Sequence, residues 1–417
     1  MSAAVIESDG PAPAAASSPF SRNPGINDSI VRILLITFNY PPKVGGMENM
    51  LFQLVSHWQA DHVVTVIGPH GSDAASDSMT PVLRPTKKGL FWFFMAALSN
   101  SLKRLRAEQF DVLFAGSALV MPLAVFLGRM FNLPVVTQVH GLDLTYPNRM
   151  YRAAIRRLLP HSNLVVANSA NTARLAIGSG VLEKNIKVIN PGLNFAEFIT
   201  LPDRERVRVK HRFQGKKVIL SAGRLAPRKG VSEFIEHVLP SLHRNHPDLL
   251  FAVAGGNPTE SLAHREDVIS RIRLAVKRIN GADHVRVLGR VPRQELLELY
   301  AAADLFVLPA LPTAHDVEGF GIVLIEAGAA GCPVVSTRHG GIPDAVVDGS
   351  TGVLVDPGDW EAMAAALSTL LAEPEAAAAM GRAGRQRAET NHDWSIVGRE
   401  YLAAISNLIT PATRIPE

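Results

Sequence analysis

Short apolar runs alternate with longer amphipathic segments along most of this 417-residue chain. The first run, at 31–37, leads through a turn-rich loop into a segment with helical spacing. Four more runs, each separated from the next by a helical pattern, follow at 62–68, 112–115, 135–139 and 164–167. Apolar runs of about four to eight residues are typical of parallel strands buried on both faces. This half therefore predicts βαβ units around a parallel sheet.

The same order of elements begins again in the second half. Apolar runs at 218–222, 250–254, 285–291 and 305–308 alternate with helical patterns, and a short β-branched run follows Pro333. A second set of βαβ units predicts a second doubly wound sheet. The fold class is therefore α/β, with two Rossmann-like halves.

The change in composition between the halves sets the domain boundaries. Residues 1–28 are rich in Ala, Ser, Pro and Gly and are expected to form a flexible tail. We place the N-terminal domain at 29–200 and the C-terminal domain at 201–390, with an irregular, charged linker near 194–216. Residues 391–417 have apolar positions at helical spacing and are expected to form a C-terminal helix.

Composition narrows the class of protein. The chain is 47% hydrophobic and 19% charged, so both halves can bury a core, and its single cysteine excludes an internal disulfide framework. It has neither an apolar run long enough to span a membrane nor a signal-peptide pattern, and we expect a cytoplasmic protein. The net charge of +4 suits an anionic substrate or an anionic membrane surface and does not require nucleic acid.

The stretch from Glu318 to Glu326 carries the most specific chemistry. It enters a helix at Phe320-Gly321, which places Glu318 at the helix mouth and Glu326 roughly two turns inside. The first N–H groups of a helix lack helical partners and attract anions, while Gly319 and Gly321 allow a ligand to approach the backbone closely. A ligand with a central phosphate and hydroxyls on both sides fits this arrangement. A nucleotide sugar is such a ligand.

Other polar residues follow predicted strands, where open α/β sheets bind ligands. Gly45-Gly46 forms a strand-to-helix turn after the first run, and His140 follows the run that starts at 135. Arg224 and Lys229 occupy a turn after the run at 218–222, from which two cations could converge on a diphosphate. Dinucleotide-binding and P-loop glycine signatures are absent, which counts against an NAD enzyme or a P-loop NTPase.

Two predicted helices combine basic and aromatic residues. The segments at 87–106 and 151–159 have the composition of helices that lie on a membrane surface, but ordinary helices with basic outer faces share it. The sequence leaves both interpretations open.

With these residues in hand, the chain from Val31 onward closely resembles the retaining glycosyltransferases of family 4, whose GT-B fold places two Rossmann-like domains across a cleft. The most specific match is the pair Glu318 and Glu326, which correspond to the family's two glutamates separated by seven residues. Gly223-Arg224-Leu225 with Lys229-Gly230 resembles the family's diphosphate-binding pair. Residues 391–417 resemble the family's C-terminal helix, which returns to the N-terminal domain.

The resemblance implies a role for each matched position. Arg224 and Lys229 would neutralise the donor diphosphate, Glu318 would hold the transferred sugar, Glu326 would hold the ribose, and His140 would lie beside the sugar. The remaining donor-binding positions implied in this way are Gly45, Gly46, Gly319, Phe320 and Gly321.

The resemblance also implies the reaction: transfer of a hexosyl unit, mannosyl or glucosyl, with retention, from a GDP- or UDP-linked donor to a lipid-linked or polyol acceptor. No cofactor or metal is implied, because the matched stretch has no Asp-x-Asp pair. Two departures, Asn194 and Asn257, weaken any inference about the donor base. A nucleotide-sugar epimerase and a non-catalytic nucleotide-sugar binding protein remain as alternatives.

Overall fold

Each half of the chain forms its own parallel sheet. A computed structural model describes residues 30–43, 45–72, 81–257, 267–314 and 316–409, so the predicted tail at 1–28 and the last residues of the chain lie outside the described ranges. The first sheet consists of β1 (Arg32–Ile36), β2 (Val63–Ile67), β3 (Val82–Leu83), β4 (Val112–Ala115), β5 (Val135–Val139), β6 (Leu164–Ala167) and β7 (Ile186–Val188). The second consists of β8 (Lys217–Ala222), β9 (Leu249–Ala254), β10 (Val285–Gly289), β11 (Leu305–Leu308), β12 (Val334–Thr337) and β13 (Gly352–Val355).

Helices cover both faces of each sheet. Those of the first half are α1 (Gly46–Trp58), α2 (Leu90–Ala107), α3 (Met121–Phe131), α4 (Gly141–Thr145), α5 (Arg149–Leu158) and α6 (Ala170–Ile177). Later helices are α7 (Ala196–Ile199), α8 (Arg204–Lys210), α9 (Val231–His237), α10 (Leu239–Asn245), α11 (Val268–Arg278), α12 (Arg293–Ala302), α13 (Ile322–Ala329), α14 (Ile342–Ala345), α15 (Trp360–Ala372), α16 (Pro374–Asn391) and α17 (Trp394–Ile409). No helix within the described ranges combines the length and apolarity needed to cross a membrane.

Strand order confirms the predicted α/β class with two doubly wound sheets. The first sheet has the order β3-β2-β1-β4-β5-β6-β7 and the second the order β10-β9-β8-β11-β12-β13, and the paired strands are parallel. In each sheet the order reverses beside the first strand of that half, between β1 and β4 or between β8 and β11. Loops that follow these strands open at a switch point, where such sheets bind ligands.

Several element bounds differ from the sequence prediction. Three strands, β3, β7 and β13, were not predicted from the sequence. β3 and β7 are very short and partly exposed, so they lack a long apolar run. β10 ends at Gly289 rather than at residue 291, since Gly289 has φ 72°, which is incompatible with a continuing strand. The helix predicted to begin at Phe320-Gly321 begins at Ile322, so Glu326 lies just over one turn inside.

The expectation of an irregular linker at 194–216 is wrong. This segment forms α7 and α8, and its apolar side chains Phe198, Val207 and Phe213 are buried in the core of the second domain. The charged residues that suggested a linker are the outer surface of these short helices. Arg208 is an exception, since it is buried and donates hydrogen bonds to the carbonyls of Ala302 and Phe213.

The chain crosses back to the first domain at residues 392–394. α16 packs on α13 of the second domain, whereas α17 packs on α1 of the first. At the crossing, Leu193 N–H donates to the carbonyl of His392 at 2.7 Å, and Trp394 N–H donates to the carbonyl of Leu193 at 3.1 Å. Trp394 and Tyr401 are then buried in the same cluster as strands β1, β2 and β4. The final helix is therefore part of the first domain's core.

A buried hydrogen bond fixes α17 on the first sheet. Tyr401 Oη donates to Gln138 Oε1 at 2.7 Å, and both side chains are buried. Tyr401→Phe leaves the amide oxygen without its donor, and we expect the free energy of unfolding to fall by about 1–3 kcal/mol. Urea unfolding followed by circular dichroism measures this loss. Tyr146→Phe, at a half-buried tyrosine, serves as the control. Equal stability of the Tyr401 and Tyr146 variants would contradict the assignment.

Candidate active site

The loops after the switch-point strands carry most of the predicted site residues. Gly45-Gly46 follows β1, the turn with Arg224 and Lys229 follows β8, and the Glu318 stretch follows β11. His140 follows β5, the second strand from the first sheet's switch point. The two sheets present these edges to each other, so residues distant in sequence meet across the cleft.

The turn after β8 is tightly constrained by glycine. It contains a 3-10 turn at Pro227–Lys229, followed by Gly230 with φ 65° in the left-handed region. A Cβ atom at Gly230 would lie 2.0 Å from the carbonyl oxygen of Pro309, at the end of β11. Backbone conformation and space both require glycine here. This close approach places Arg228 and Lys229 directly under the loop that carries Glu318.

Four charged side chains meet in a buried cluster, which we call the ion cluster: Arg228, Lys229, Asp316 and Glu318. Lys229 Nζ lies 2.7 Å from Glu318 Oε2, and Arg228 Nη1 contacts the same carboxylate oxygen. Arg228 Nε donates to Asp316 Oδ2 at 2.7 Å. Each of the four residues is less than a tenth exposed. Two cations and two carboxylates thus compensate one another away from water.

The cluster shifts the protonation equilibria of its members. Burial alone raises the pKa of Glu318, but the charges of Arg228 and Lys229 outweigh it and hold that pKa at about 2. Burial lowers the pKa of the Lys229 ammonium, which the neighbouring Glu318 carboxylate opposes and the Arg228 charge reinforces. For Arg228, the charges of Glu318 and Asp316 overcome burial and raise the pKa. Glu318 is therefore ionised at neutral pH.

Arg224 differs from the other cations. Its side chain is exposed and forms no ion pair within the part of the chain that the structure describes. Its charge still reaches Lys229, whose pKa it lowers. Arg228 and Asp316 were absent from the predicted site. Both could have been predicted from the sequence, because Arg228 directly precedes Lys229 and Asp316 lies two residues before Glu318.

Backbone contacts hold the Glu318 loop in place. Gly341 N–H donates to the Glu318 carbonyl at 2.9 Å, and a Cβ at Gly340, where φ is 58°, would lie 2.3 Å from the same carbonyl oxygen. Gly321 has φ 93° and precedes the first residue of α13. Phe320 is buried, with its ring centroid 5.7 Å from that of His392. The loop is therefore fixed to the crossing that joins the two domains.

Glu326 lies apart from the ion cluster. Its carboxylate accepts hydrogen bonds from Arg293 Nη1 at 2.6 Å and from Tyr300 Oη at 3.0 Å, both on α12. Arg293 also pairs with Glu197 of α7. The side chain of Glu326 is 12% exposed, and each of its carboxylate oxygens has a partner. The sequence analysis did not identify the Arg293 and Tyr300 partners.

The first domain contributes His140 and Asn168 to the site. His140 is 7% exposed, its Nδ1 lies 3.4 Å from Asn168 Nδ2, and its backbone N–H donates to Asp143 Oδ2 at 3.1 Å. Burial lowers the pKa of His140 to about 4, so the ring is neutral at neutral pH. Its Nε2 and the Asn168 Oδ1 are buried without a hydrogen-bond partner among the described residues. Asn168, which directly follows β6 and was not among the predicted site residues, is a further candidate.

Small residues let the two domains approach each other at the site. A Cβ at Gly141, next to His140, would lie 2.6 Å from Val317 Cγ1, and one at Gly319 would lie 2.9 Å from Asn168 Nδ2. A Cβ at Gly46 would meet Ile322 Cδ1, at the start of α13, at 3.6 Å. The structure therefore brings together Gly46, the His140 segment and the Glu318 loop, as the sequence-based site requires.

The glycine turn after β1 lies against the carboxylate of Glu48. Gly45 is extended at φ −179°, and a Cβ there would lie 2.3 Å from Glu48 Oε2. The Glu48 carboxylate also accepts a hydrogen bond from Asn39 Nδ2 at 2.9 Å.

Within the described ranges, no three His, Cys, Asp or Glu side chains are grouped as ligands for a metal ion.

Comparison with known proteins identifies the class to which this fold and site belong. The family model for glycosyl transferases group 1 matches residues 203–387, and that for glycosyltransferase family 4 matches residues 44–197. The first match contains the whole second sheet, and the second match contains the first sheet except β1. The chain belongs to the family 4 glycosyltransferases and is an enzyme that transfers sugar.

Individual relatives agree with this assignment. The chain is 31% identical to a GDP-mannose-dependent alpha-(1-6)-phosphatidylinositol monomannoside mannosyltransferase of Mycolicibacterium smegmatis, over 90% of this chain and 98% of the relative. It is 29% identical to a glycogen synthase of Mycobacterium tuberculosis, over 93% of this chain and 98% of the relative.

Solved structures confirm the GT-B fold. Anabaena Alr3699/HepE in complex with UDP superposes with a TM-score of 0.75 at 20% identity, over 90% of this chain and all of that one. A sucrose-phosphate synthase from Thermosynechococcus elongatus gives a TM-score of 0.74 at 21% identity, over 91% of this chain and 99% of that one.

The ion cluster predicts a specific pH dependence of stability. The pKa of Glu318 is about 2 in the folded state and 4.5 for the free group, so the folded protein binds fewer protons between these values. The stability that Glu318 contributes, about 3 kcal/mol, is complete above pH 4.5 and is lost as the pH falls toward 2. Glu318→Gln should lower the free energy of unfolding at neutral pH by about 3–5 kcal/mol, because Lys229 and Arg228 lose a charged partner.

Urea unfolding at pH 7 and at pH values below 4.5 measures both effects. The Glu318→Gln variant should show less loss of stability on acidification than the unsubstituted protein. Glu375→Gln, at an exposed position on α16, is the matched control and should behave like the unsubstituted protein. A Glu318→Gln variant with undiminished stability at pH 7 would show that the cluster does not depend on this carboxylate.

Proposed function

We propose that this enzyme transfers a hexosyl unit, with retention of anomeric configuration, from a nucleotide-diphosphate sugar to a lipid-linked or polyol acceptor. One observation carries the proposal: ionised Glu318 is held by Lys229 and Arg228 at the start of α13, directly opposite His140 and Asn168 of the other domain. Cations, a carboxylate and unpartnered polar atoms thereby surround one cleft. A sugar diphosphate presents complementary groups.

Donor binding would exchange partners within the ion cluster. A phosphate oxygen would replace Glu318 beside Lys229. The released carboxylate would then accept a hydrogen bond from a hydroxyl of the sugar. Exposed Arg224 and the first N–H groups of α13 would face the other phosphate oxygens. The departing nucleoside diphosphate gains negative charge in the transition state, and cations fixed beforehand stabilise that charge without reorganisation. His140 Nε2 and Asn168 Oδ1 would face the sugar.

GDP-mannose is the donor we favour. The support is the 31% identity to a GDP-mannose-dependent mannosyltransferase over nearly the full length of both chains. UDP-glucose is the second candidate. Asn257 does not bear on this choice, since its side chain donates to Asp267 and accepts from the Ile269 backbone at the start of α11. Glu326 would hold the ribose of either donor, exchanging one of its present partners for a ribose hydroxyl.

The test of this function is a product assay on the purified chain. GDP-mannose and UDP-glucose are each incubated with the protein, with and without a lipid extract or free polyols, and products are identified by mass spectrometry and the new anomeric linkage by NMR. Formation of a retained hexosyl product is the expected result. Epimerised free donor would favour the epimerase alternative, and nucleotide-sugar binding without product would favour the non-catalytic alternative.

A lipid-linked acceptor is supported by an apolar patch beside the cleft. Leu90, Phe91, Trp92 and Met95 of α2 are between 41% and 67% exposed. The neighbouring Phe93 is buried and packs on Phe38 with ring centroids 5.1 Å apart, and Lys43 of the loop after β1 lies over the Phe38 ring. The patch is therefore anchored to the loop that leads to Gly45. We propose that α2 rests on the membrane that supplies the acceptor.

Substitution of Arg224 tests its role in catalysis without a change in stability. Because Arg224 is exposed, Arg224→Ala should leave the melting temperature unchanged while lowering turnover about 100- to 1,000-fold, the effect of losing one fixed contact to transition-state charge. Lys229→Ala should lower turnover similarly but also lower stability, since buried Glu318 loses its ion pair with Lys229. Steady-state kinetics and calorimetry measure the two quantities. Arg244→Ala, at an exposed position on α10, is the control. Unchanged turnover of the Arg224 variant would remove it from the site.

Metal independence is a further expectation. Arg224, Arg228 and Lys229 supply the positive charge that a divalent cation would otherwise bring to a diphosphate. Turnover should therefore persist after treatment with EDTA and dialysis. Recovery of lost activity on adding magnesium or manganese, but not on adding sodium, would contradict this expectation.

The α2 patch can be tested by vesicle flotation. Phe91→Ser with Trp92→Ser should weaken binding to vesicles on the order of 100-fold, because each aromatic loses roughly 1.5 kcal/mol of apolar burial. The loss should be similar on neutral and anionic vesicles. Val209→Ser with Leu274→Ser, at two exposed apolar positions of the second domain, is the matched control. Equal flotation of both double variants would place the membrane contact elsewhere.

A further inference from the structure

Three arginines of α5 line a groove outside the active site. Arg149, Arg152 and Arg156, together with Ala153, surround a space of about 330 Å³. The spacing of three and four residues places the three guanidinium groups on one face of the helix. About a quarter turn away around the helix, Ile155 is buried in the core of the first domain. The helix is therefore held firmly while its arginine face is open to solvent.

Within the described residues, the positive charge of this groove is not compensated by an acidic side chain. None of the three arginines forms an ion pair with any residue in the described ranges. The sequence contains no Asp or Glu between Asp143 and Glu183, so no neighbouring segment of the chain supplies one locally. Like charges three and four residues apart on a helix repel one another and destabilise it. A bound anion would relieve that repulsion.

Arginine favours one class of anion. Its planar guanidinium group presents paired N–H donors that match the oxygens of a phosphate, and several arginines around one space can share a phosphate among them. The groove is thus built for a phosphate group.

Exposed apolar residues around the groove indicate where that phosphate comes from. Met150, in the first turn of α5, is 84% exposed. On α3, which packs between α5 and α2, Phe126 and Met130 are 50% and 52% exposed. These side chains continue toward the α2 patch along one layer of helices. A nucleic-acid backbone offers nothing for them to contact, whereas the interface of an anionic membrane offers acyl chains beside phosphates.

We propose that the groove formed by Arg149, Arg152 and Arg156 binds the phosphate of an anionic phospholipid headgroup at the membrane surface. The choice of a lipid as the source of the phosphate rests on the membrane association proposed for α2, whereas the phosphate site itself rests on the groove alone. Bound there, a headgroup would fix the orientation of the first domain, with its helix layer on the membrane and its cleft beside it.

The test compares vesicles of phosphatidylcholine with vesicles that also contain phosphatidylglycerol, using the full chain in flotation. A variant with Arg149, Arg152 and Arg156 all replaced by Gln should lose binding to the anionic vesicles by about fivefold per arginine, on the order of 100-fold in all. Its binding to neutral vesicles should not change. Each single variant, such as Arg152→Gln, should show about a fivefold loss, which keeps the test valid if the triple variant folds poorly.

Controls separate this proposal from the proposed function. Replacement of Arg244, Arg273 and Lys277 by Gln removes three exposed cations from the second domain and should not reduce flotation. GDP binding, followed by calorimetry, should be unchanged in the groove variants. Absence of GDP binding to the unsubstituted chain would count against the proposed donor. The flotation result could still be interpreted, because it does not depend on the donor.

Three results would overturn the proposal. The first is anionic-vesicle binding by the groove variants equal to that of the unsubstituted chain. The second is an affinity for glycerol phosphate in solution equal to the affinity for anionic vesicles, which would make the groove a site for a soluble phosphate. The third is binding of a short DNA duplex more tightly than the anionic vesicles at the same ionic strength.

Discussion

The ion cluster is the interaction on which the arrangement of the second domain's site depends. Arg228 and Lys229 are buried only because Asp316 and Glu318 neutralise them, and removing one partner from a buried ion pair leaves a charge that water cannot reach. The tight turn at Gly230 and the loop after β11 are tied together through these contacts. The cluster therefore joins the two switch-point loops before any ligand arrives, with Glu318 already ionised.

The contact between the domains extends this constraint to the first half of the chain. Gly141 and Gly319 allow the loop with Glu318 to lie against the His140 segment, where any larger residue would meet a neighbouring atom at less than 3 Å. The backbone hydrogen bonds between Leu193 and residues 392–394 hold the two crossings side by side. Leu193 and residues 392–394 are the places where the chain passes between the domains, so these hydrogen bonds tie the two connections together.

Sequence reasoning succeeded where one physical signal dominated. Buried parallel strands require continuous apolar runs, so β1, β5 or β11 could be recognised directly, and glycine or charge at the ends of such strands located the candidate site. It failed where stability comes from packing between distant segments. α7 and α8 look polar in sequence, yet Phe198 and Phe213 bury themselves in a core that the rest of the second domain provides.

The sequence alone determined the α/β class, the two doubly wound sheets and the identity of most candidate site residues, because strand periodicity and motif spacing are local properties of the chain. Only the tertiary structure decided which charges face one another. It paired Glu318 with Arg228 as well as Lys229, left Arg224 exposed, and engaged Glu326 with Arg293 and Tyr300. Pairing between side chains some ninety residues apart depends on how two loops approach in space, and no local pattern in the sequence records that distance.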